Sequence, residues 1–486
     1  MRTVVVGAGM VGHRLAQKLT DLDPDADVVV LGEEQYEPYN RAMLSELVAG
    51  RVNVSGLTLP SPGDADLRLS VRVVDVDRDT RTVRASDGRT TAYDHLVLAT
   101  GARARVPALP GLLDPSGDLP SGVHVLRTVD DARAILAGAA NARRVTVVGA
   151  GAIGVEVACG LRHRDLDVAL VASRDGVLDR DLDTAASDVA SLTVRDLGVR
   201  FVPRASVASL VHERGRLRAV RLSNGRRLPT DLLVLAVGSV PETLLARRMG
   251  LDVDRGVVVD TELRTSDPHI SAIGDCARTP TGLSGLIAPG WAQAHSLARR
   301  LVLDEPVSTP VVDGAAMRLK AAGLSAVSMG TRASTARPED RVVALDDHRA
   351  RRHVEVVVRQ GTLVGLTCVG APDLASRLST LFERPGIVPV DPLQLLAGGG
   401  KEEQASATTL EPNATVCRCN GVTRRDVESA WHECEDVDGV VAATRATTGC
   451  GGCTSLVCEL VEWLAEASDV TSQDASADRE ASVSVG

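Results

Sequence analysis

Short, mostly apolar runs punctuate the first part of the chain, each too brief for a helix and several of them rich in valine. Such runs, bounded by glycine, predict strands buried on both faces. Thr3 to Val6 is followed by a glycine-rich turn, an amphipathic stretch from His13 to Thr20 with helical period, and a second run from Val28 to Leu31. The same order returns at Val145 to Val148, Val155 to Arg162 and Val168 to Val171. Three further runs end in glycine: Asp94 to Ala99 before Thr100-Gly101, Asp231 to Gly238, and His269 to Gly274 before Asp275. From about 312 to 395 the pattern changes to alternation, as in Val354 to Val358, and predicts a small α+β domain.

Both strand–helix junctions carry Gly-x-Gly-x-x-Gly: Gly7, Gly9 and Gly12, then Gly149, Gly151 and Gly154. In a βαβ unit the first glycine makes the tight turn, the second admits a pyrophosphate to the backbone, and the third lets helix pack on strand. Glu33 stands 21 residues after Gly12, where an acid can bind ribose hydroxyls. One such motif is a weak signal. Two, each with its strands and helix in order, predict two dinucleotide-binding units.

In the second unit the ribose acid's place is taken by Ala172, followed by Ser173, Arg174 and Asp175. Ser173 and Arg174 suit a 2′-phosphate and favour NADPH over NADH; Asp175 turned back to the ribose would favour NADH.

Near the other end, Cys417 and Cys419 form Cys-x-Cys, and thirty residues later Cys450 and Cys453 form Cys-x-x-Cys. Two close pairs brought together make a four-thiolate cage, suited to an iron–sulfur cluster or to zinc. The spacing exceeds that of zinc fingers, which favours iron–sulfur. Cys458 lies in an apolar helical run from Leu456 to Leu464 and reads as core; Cys276 and Cys368 have no nearby partner.

Composition narrows the class. The 486 residues allow about three domains. A formal charge of −10 argues against nucleic acid as partner, since phosphate binding needs a basic face. No signal peptide is evident after Met1, and no apolar run reaches the roughly 18–20 residues of a membrane span. Nine cysteines, four of them clustered, look like metal ligation and not a disulfide framework, so cytoplasm is the expected location.

With these motifs in place the chain resembles the pyridine-nucleotide-disulfide oxidoreductase superfamily. It is most similar to the flavoprotein part of nitrite reductase large subunits and to nitrate reductase electron-transfer subunits. The closer likeness rests on Gly9 to Arg14, Pro38 to Ser45, Leu286 to Gly290, Leu319 to Gly323 and Cys417 to Thr423, the last opening a domain similar to the bacterioferritin-associated ferredoxin family.

The resemblance implies an α/β fold with two nested Rossmann-like domains, FAD on 1–115 plus 231–311 and NAD(P)H on 116–230. A small α+β domain (312–397), a linker (398–414), a small helical [2Fe-2S] domain (415–466) and a disordered tail (467–486) follow. It places Gly7, Gly9, Gly12 and Glu33 on FAD with Arg41, Thr100, Gly101, Gly274 and Asp275. Gly149, Gly151, Gly154, Ser173 and Arg174 go to the nicotinamide nucleotide, the catalytic candidate Glu156 near its ring, and the four cysteines to the cluster. Glu156 also has a plainer reading, a carboxylate at a helix N-terminus. His13 reads as a packing residue, and Trp291 as packing or near the flavin. Related ferredoxin reductases carry Lys directly after Leu-Ser; here Glu46 stands there. No cysteine lies between Glu37 and Gly50, where disulfide reductases keep theirs.

The resemblance implies electron flow from NADPH or NADH through FAD and the cluster to a partner protein, nitrate or nitrite reductase, and is compatible with a homodimer. The alternatives are a stand-alone ferredoxin or rubredoxin reductase, an FAD/iron–sulfur subunit of an amine or opine dehydrogenase, and an iron-handling module docking on bacterioferritin.

Overall fold

A computed structural model describes residues 1–110, 112–113, 117–307, 316–383, 388, 391–397, 410–412, 414–417, 420–448, 453–454 and 456–466. They fall into two compact units, one of 1–57 with 61–398 and one of 58–60 with 399–486. The tail expected at 467–486 lies outside the described residues, as does the linker apart from 410–412 and 414.

The first unit contains two parallel sheets of the same design. In the first, the strand order is Ile270–Ala272, His95–Leu98, Arg2–Val6, Asp27–Leu31, Asp66–Arg68, all parallel. Val4 stands between Val29 and Leu96 in register. The run His95–Leu98 is buried throughout, as the apolar Leu96 to Leu98 predict, and His95 Nε2 is satisfied by Ser271 Oγ at 3.0 Å. Helices Met10–Leu22 and Ile287–Leu303 pack together beside this sheet.

The second sheet runs Arg200–Val202, Asp167–Val171, Arg144–Val148, Leu232–Leu235, Val123–Val125, again all parallel. One boundary is corrected here. Leu232–Leu235, expected with the first domain's segment 231–311, pairs with Arg144–Val148 in the second sheet. An apolar strand ending in glycine looks the same in either sheet, so its local pattern does not reveal its neighbours. The return to the first sheet comes instead at Ser239–Pro241, which lies antiparallel to the outgoing strand Ala102–Ala104. The N–H of Glu242 bonds Gly101 O at 2.9 Å, and Thr100 Oγ1 donates to Glu242 O at 3.0 Å, stitching this neck together.

The alternating region forms an antiparallel sheet ordered Met317–Ala321, Leu324–Gly330, Thr362–Val369, Arg352–Arg359, Arg341–Asp347. Helix Pro372–Glu383 packs on it, as does helix Thr184–Asp196 of the second domain. Its first strand also lies against helix Ala152–His163, with Leu319 and Val155 in one core.

In the second unit Thr415–Cys417 pairs antiparallel with Val422–Thr423. Helix Arg424–Cys434 starts with a capping box between Thr423 and Asp426, and helix Val437–Thr444 starts on the Asp436 side chain. Val427, Trp431, Val457 and Leu460 form its core. Among the described residues no helix is long and apolar enough to cross a membrane.

Candidate dinucleotide cleft and cysteine centre

The two glycine turns have near-identical backbone geometry. Gly7 has φ +113° and Gly149 φ +106°, and a Cβ on either would fall 2.3 Å from a carbonyl oxygen, of Ala99 and Ala236 respectively. A Cβ on Gly12 would meet Gly7 O at 2.0 Å, and one on Gly154 would meet Gly149 O at 1.8 Å. These four positions are closed by the fold itself. Gly9 and Gly151 differ: a Cβ there would find only Arg41 Nε at 3.8 Å in the first case and nothing within 4 Å in the second. Each is the N-cap residue of its helix, and neither helix N-terminus has a side-chain capping bond. Backbone N–H groups there are ready for an anion, and the missing side chain leaves room for a pyrophosphate. Both turns therefore fit a dinucleotide.

The two open glycines line one cleft of about 580 Å³. Of the expected residues, Arg41, Gly101, Gly149, Ser173, Arg174, Gly274 and Asp275 also line it. Gly7, Gly12 and Gly154 shape the turns from behind.

Arg41 is held by Glu34, by the Tyr39 hydroxyl at 2.9 Å and by Arg127 O at 3.2 Å, with its guanidinium 4.8 Å from the Tyr39 ring. The Tyr39 hydroxyl donates to Glu34 at 2.7 Å; burial, with Glu34 adding to it against the pull of Arg41, raises its pKa, so the phenol keeps its proton. Glu33 itself is exposed and paired with Arg72, so the acid facing Arg41 is its neighbour Glu34.

Arg127, which no motif marks in the sequence, joins the site through the fold. Its guanidinium donates to Asp275 at 2.7 Å and to Ala102 O at 2.8 Å, and it lines the cleft. It sits directly before the capping box Thr128–Asp131, but nothing local connects it to Asp275, 148 residues on.

On the second side, Arg174 Nε is 3.7 Å from Asp179, and Asp175 points to Arg204 at 3.0 Å, both of that pair largely exposed. Glu156 does not line the cleft. It is buried one layer below, accepting from Ser45 Oγ at 2.6 Å and from the Lys320 N–H at 2.9 Å, and Ser45 is part of the cleft wall. Trp291 donates from Nε1 to Met10 O at 3.3 Å and stacks with Arg14 at 4.9 Å, so it packs on the first helix. His13 is buried, and Cys276 is buried with its thiol on Leu98 O and Ile273 O.

In the second unit Cys417 and Cys453 are both buried in the same small core. Cys419 and Cys450 lie outside the described residues. Among the described residues no three His, Cys, Asp or Glu side chains are grouped to hold a metal.

Residues 1–296 match the model of the pyridine nucleotide-disulphide oxidoreductases, and the chain belongs to that family. Residues 415–463 match the BFD-like [2Fe-2S] binding domain. These matches make the chain an oxidoreductase whose cofactors are FAD, NAD(P)H and a [2Fe-2S] cluster.

The large subunit of nitrite reductase [NAD(P)H] from Klebsiella oxytoca is 32% identical over 95% of this chain and 48% of its own length. The assimilatory nitrate reductase electron transfer subunit of Bacillus subtilis is 28% identical over 95% of this chain and 60% of its own. The chain thus spans about half the length of these curated relatives. A ferredoxin reductase from Rhodopseudomonas palustris of known structure superposes with a TM-score of 0.70 at 28% identity, covering 81% of this chain and 97% of its own.

Proposed function

We propose that this chain takes electrons in pairs from NAD(P)H and delivers them singly, through FAD and the [2Fe-2S] cluster, to a partner reductase of nitrate or nitrite assimilation in the cytoplasm. Flavin chemistry bridges the two-electron donor and the one-electron acceptor, and the protein supplies position and electrostatics. The observation that carries the reading is that both open glycine turns face one cleft, which supports two dinucleotides meeting there. Arg41, Arg127 and the first helix N-terminus would hold the FAD pyrophosphate side; Ser173, Arg174 and the second would hold the nicotinamide nucleotide. Cys417, Cys419, Cys450 and Cys453 would hold the cluster.

The ferredoxin-reductase reading is supported by a relative 37% identical over only 58% of this chain, whereas the nitrate and nitrite relatives match 95%. Purified protein mixed with candidate terminal reductases decides between them. NAD(P)H oxidation that depends on nitrate or nitrite reductase supports the reading; oxidation driven only by a separate ferredoxin or rubredoxin overturns it.

NADPH is the proposed donor. Ser173 and Arg174 line the cleft and carry donors suited to a 2′-phosphate, and Asp175 is engaged by Arg204. Arg174→Ala is expected to raise KM for NADPH about tenfold, the loss of roughly 1.4 kcal/mol of charge-assisted bonding, and to leave KM for NADH nearly unchanged. Equal effects on the two coenzymes would refute the preference.

A further inference from the structure

Glu156 is separated from the cleft by a single side chain, and the group that opposes its burial comes from another domain. Strand Met317–Ala321 places Lys320 against it: the backbone N–H bonds Glu156 Oε1 at 2.9 Å, and the ammonium donates to Ala42 O at 3.1 Å. Ala42 and Ser45 are both in the cleft wall. We propose that Lys320 is a positioning residue of the cleft: it keeps the Glu156 carboxylate charged, and that carboxylate fixes the direction of the Ser45 hydroxyl.

One proton decides what Ser45 presents to the cleft. An ionised carboxylate can only accept hydrogen bonds, and serine has a single hydrogen to give. With that hydrogen committed to Glu156 Oε2 at 2.6 Å, Ser45 offers the cleft lone pairs only. It can then receive an N–H donor on a bound ring and cannot compete as a donor itself. If Glu156 takes up a proton, the carboxyl becomes a donor, the bond reverses, and the serine hydrogen is freed toward the cleft. The charge of one buried group thus selects what the wall presents.

Several groups bear on that charge. Burial pushes Glu156 above the ordinary carboxylate range, with Lys320 the foremost opposing influence and Ser45 next. From helix Leu44–Ala49, Glu46 also favours protonation, but it is tied to Arg51 at 2.6 Å, and Arg51 in turn donates to Lys320 O at 2.5 Å. On its own helix, Cys159 is buried and its thiol is pushed up to about 12, chiefly by burial and then by Glu156, so it stays neutral. Lys320 is the foremost of the groups that oppose this rise, and because burial raises the pKa, the ionised state is lost as pH falls.

The inference rests on the reading that flavin and nicotinamide meet in this cleft, and the test separates the two. In apoprotein, the infrared carbonyl band of the protonated Glu156 carboxyl, assigned by its absence in Glu156→Gln, is titrated with pH. In flavin-loaded protein, the rate of flavin reduction by NADPH is followed over the same range.

Lys320→Met, which keeps the backbone bond but removes the charge, is expected to move the titration upward by about one unit or more. The acid limb of the rate profile should move with it, and the limiting rate near neutral pH should fall on the order of tenfold with little change in KM. Lys320→Arg should restore both. Lys320→Gln replaces the methionine variant if flavin content or Tm shows that the latter does not fold.

A carboxyl that titrates as in the wild type after loss of the lysine charge overturns the proposal, as does an arginine variant no better than the neutral ones. A Glu156→Gln variant that reduces flavin at the wild-type rate likewise overturns the role given to the carboxylate, whereas wild-type flavin that NADPH fails to reduce at any pH refutes the reading of the cleft, and the infrared titration then still decides whether Lys320 sets the charge.

Discussion

Gly9→Val should give a folded protein without flavin, whereas Gly151→Val should keep its flavin and lose reduction by NAD(P)H. The physical basis is the difference between open and closed glycines. A Cβ at Gly9 has Arg41 Nε as its nearest neighbour, at 3.8 Å, and one at Gly151 has nothing within 4 Å, so each added side chain starts into open space and the fold should tolerate it. That space is where a pyrophosphate must approach the helix N-terminus, and a branched side chain there displaces the ligand. By contrast, Gly12→Ala and Gly154→Ala drive a Cβ into a carbonyl 2.0 and 1.8 Å away. They should lower Tm before any cofactor is added, at a cost of about 1–3 kcal/mol or more from overpacking. Flavin absorbance, NADPH reduction in stopped flow and the Tm of apoprotein separate the four variants. Reversed effects of the two valine variants would mean that the two domains have exchanged cofactors.

Cys417→Ser is expected to remove the cluster and to leave the flavin half intact. Thiolate is the soft ligand that iron–sulfur clusters use, and a serine hydroxyl in a buried apolar core is a poor replacement. Wild-type protein should contain about two irons per chain, as a [2Fe-2S] centre requires. The variant should contain almost none, with NADPH still reducing the flavin and ferricyanide still accepting its electrons. Delivery to the partner reductase should fall to background. Stoichiometric zinc and no iron in the wild type would show that the cysteines serve a different centre.

The parts of this site that were legible in the sequence are those whose chemistry is local. A glycine turn declares itself within six residues because the turn, the approach of the ligand and the helix contact all fall on one short segment. The cysteine pairs are legible for the same reason. Where a role depends on distant partners, the pattern says nothing. Arg127 meets Asp275 and Lys320 meets Glu156 across 148 and 164 residues, and neither looks unusual beside its own neighbours. Just beyond Asp27–Leu31 the sequence offers Glu33 and Glu34 side by side in a bend, where no period tells which way each turns. Spacing points to Glu33 for the ribose, and only packing shows its neighbour Glu34 turned to Arg41. Leu232–Leu235 was misplaced because buried parallel strands resemble one another whatever sheet they join.

The neck formed by Ala102–Ala104 and Ser239–Pro241 bears on how such a protein could be rebuilt. The stretch between them leaves and re-enters at neighbouring points, with Val240 directly across from Arg103. A segment whose two ends meet can be exchanged as a cassette for one with a different coenzyme preference, provided the newcomer keeps the faces that helix Ala152–His163 packs on helix Leu44–Ala49 and on strand Met317–Ala321.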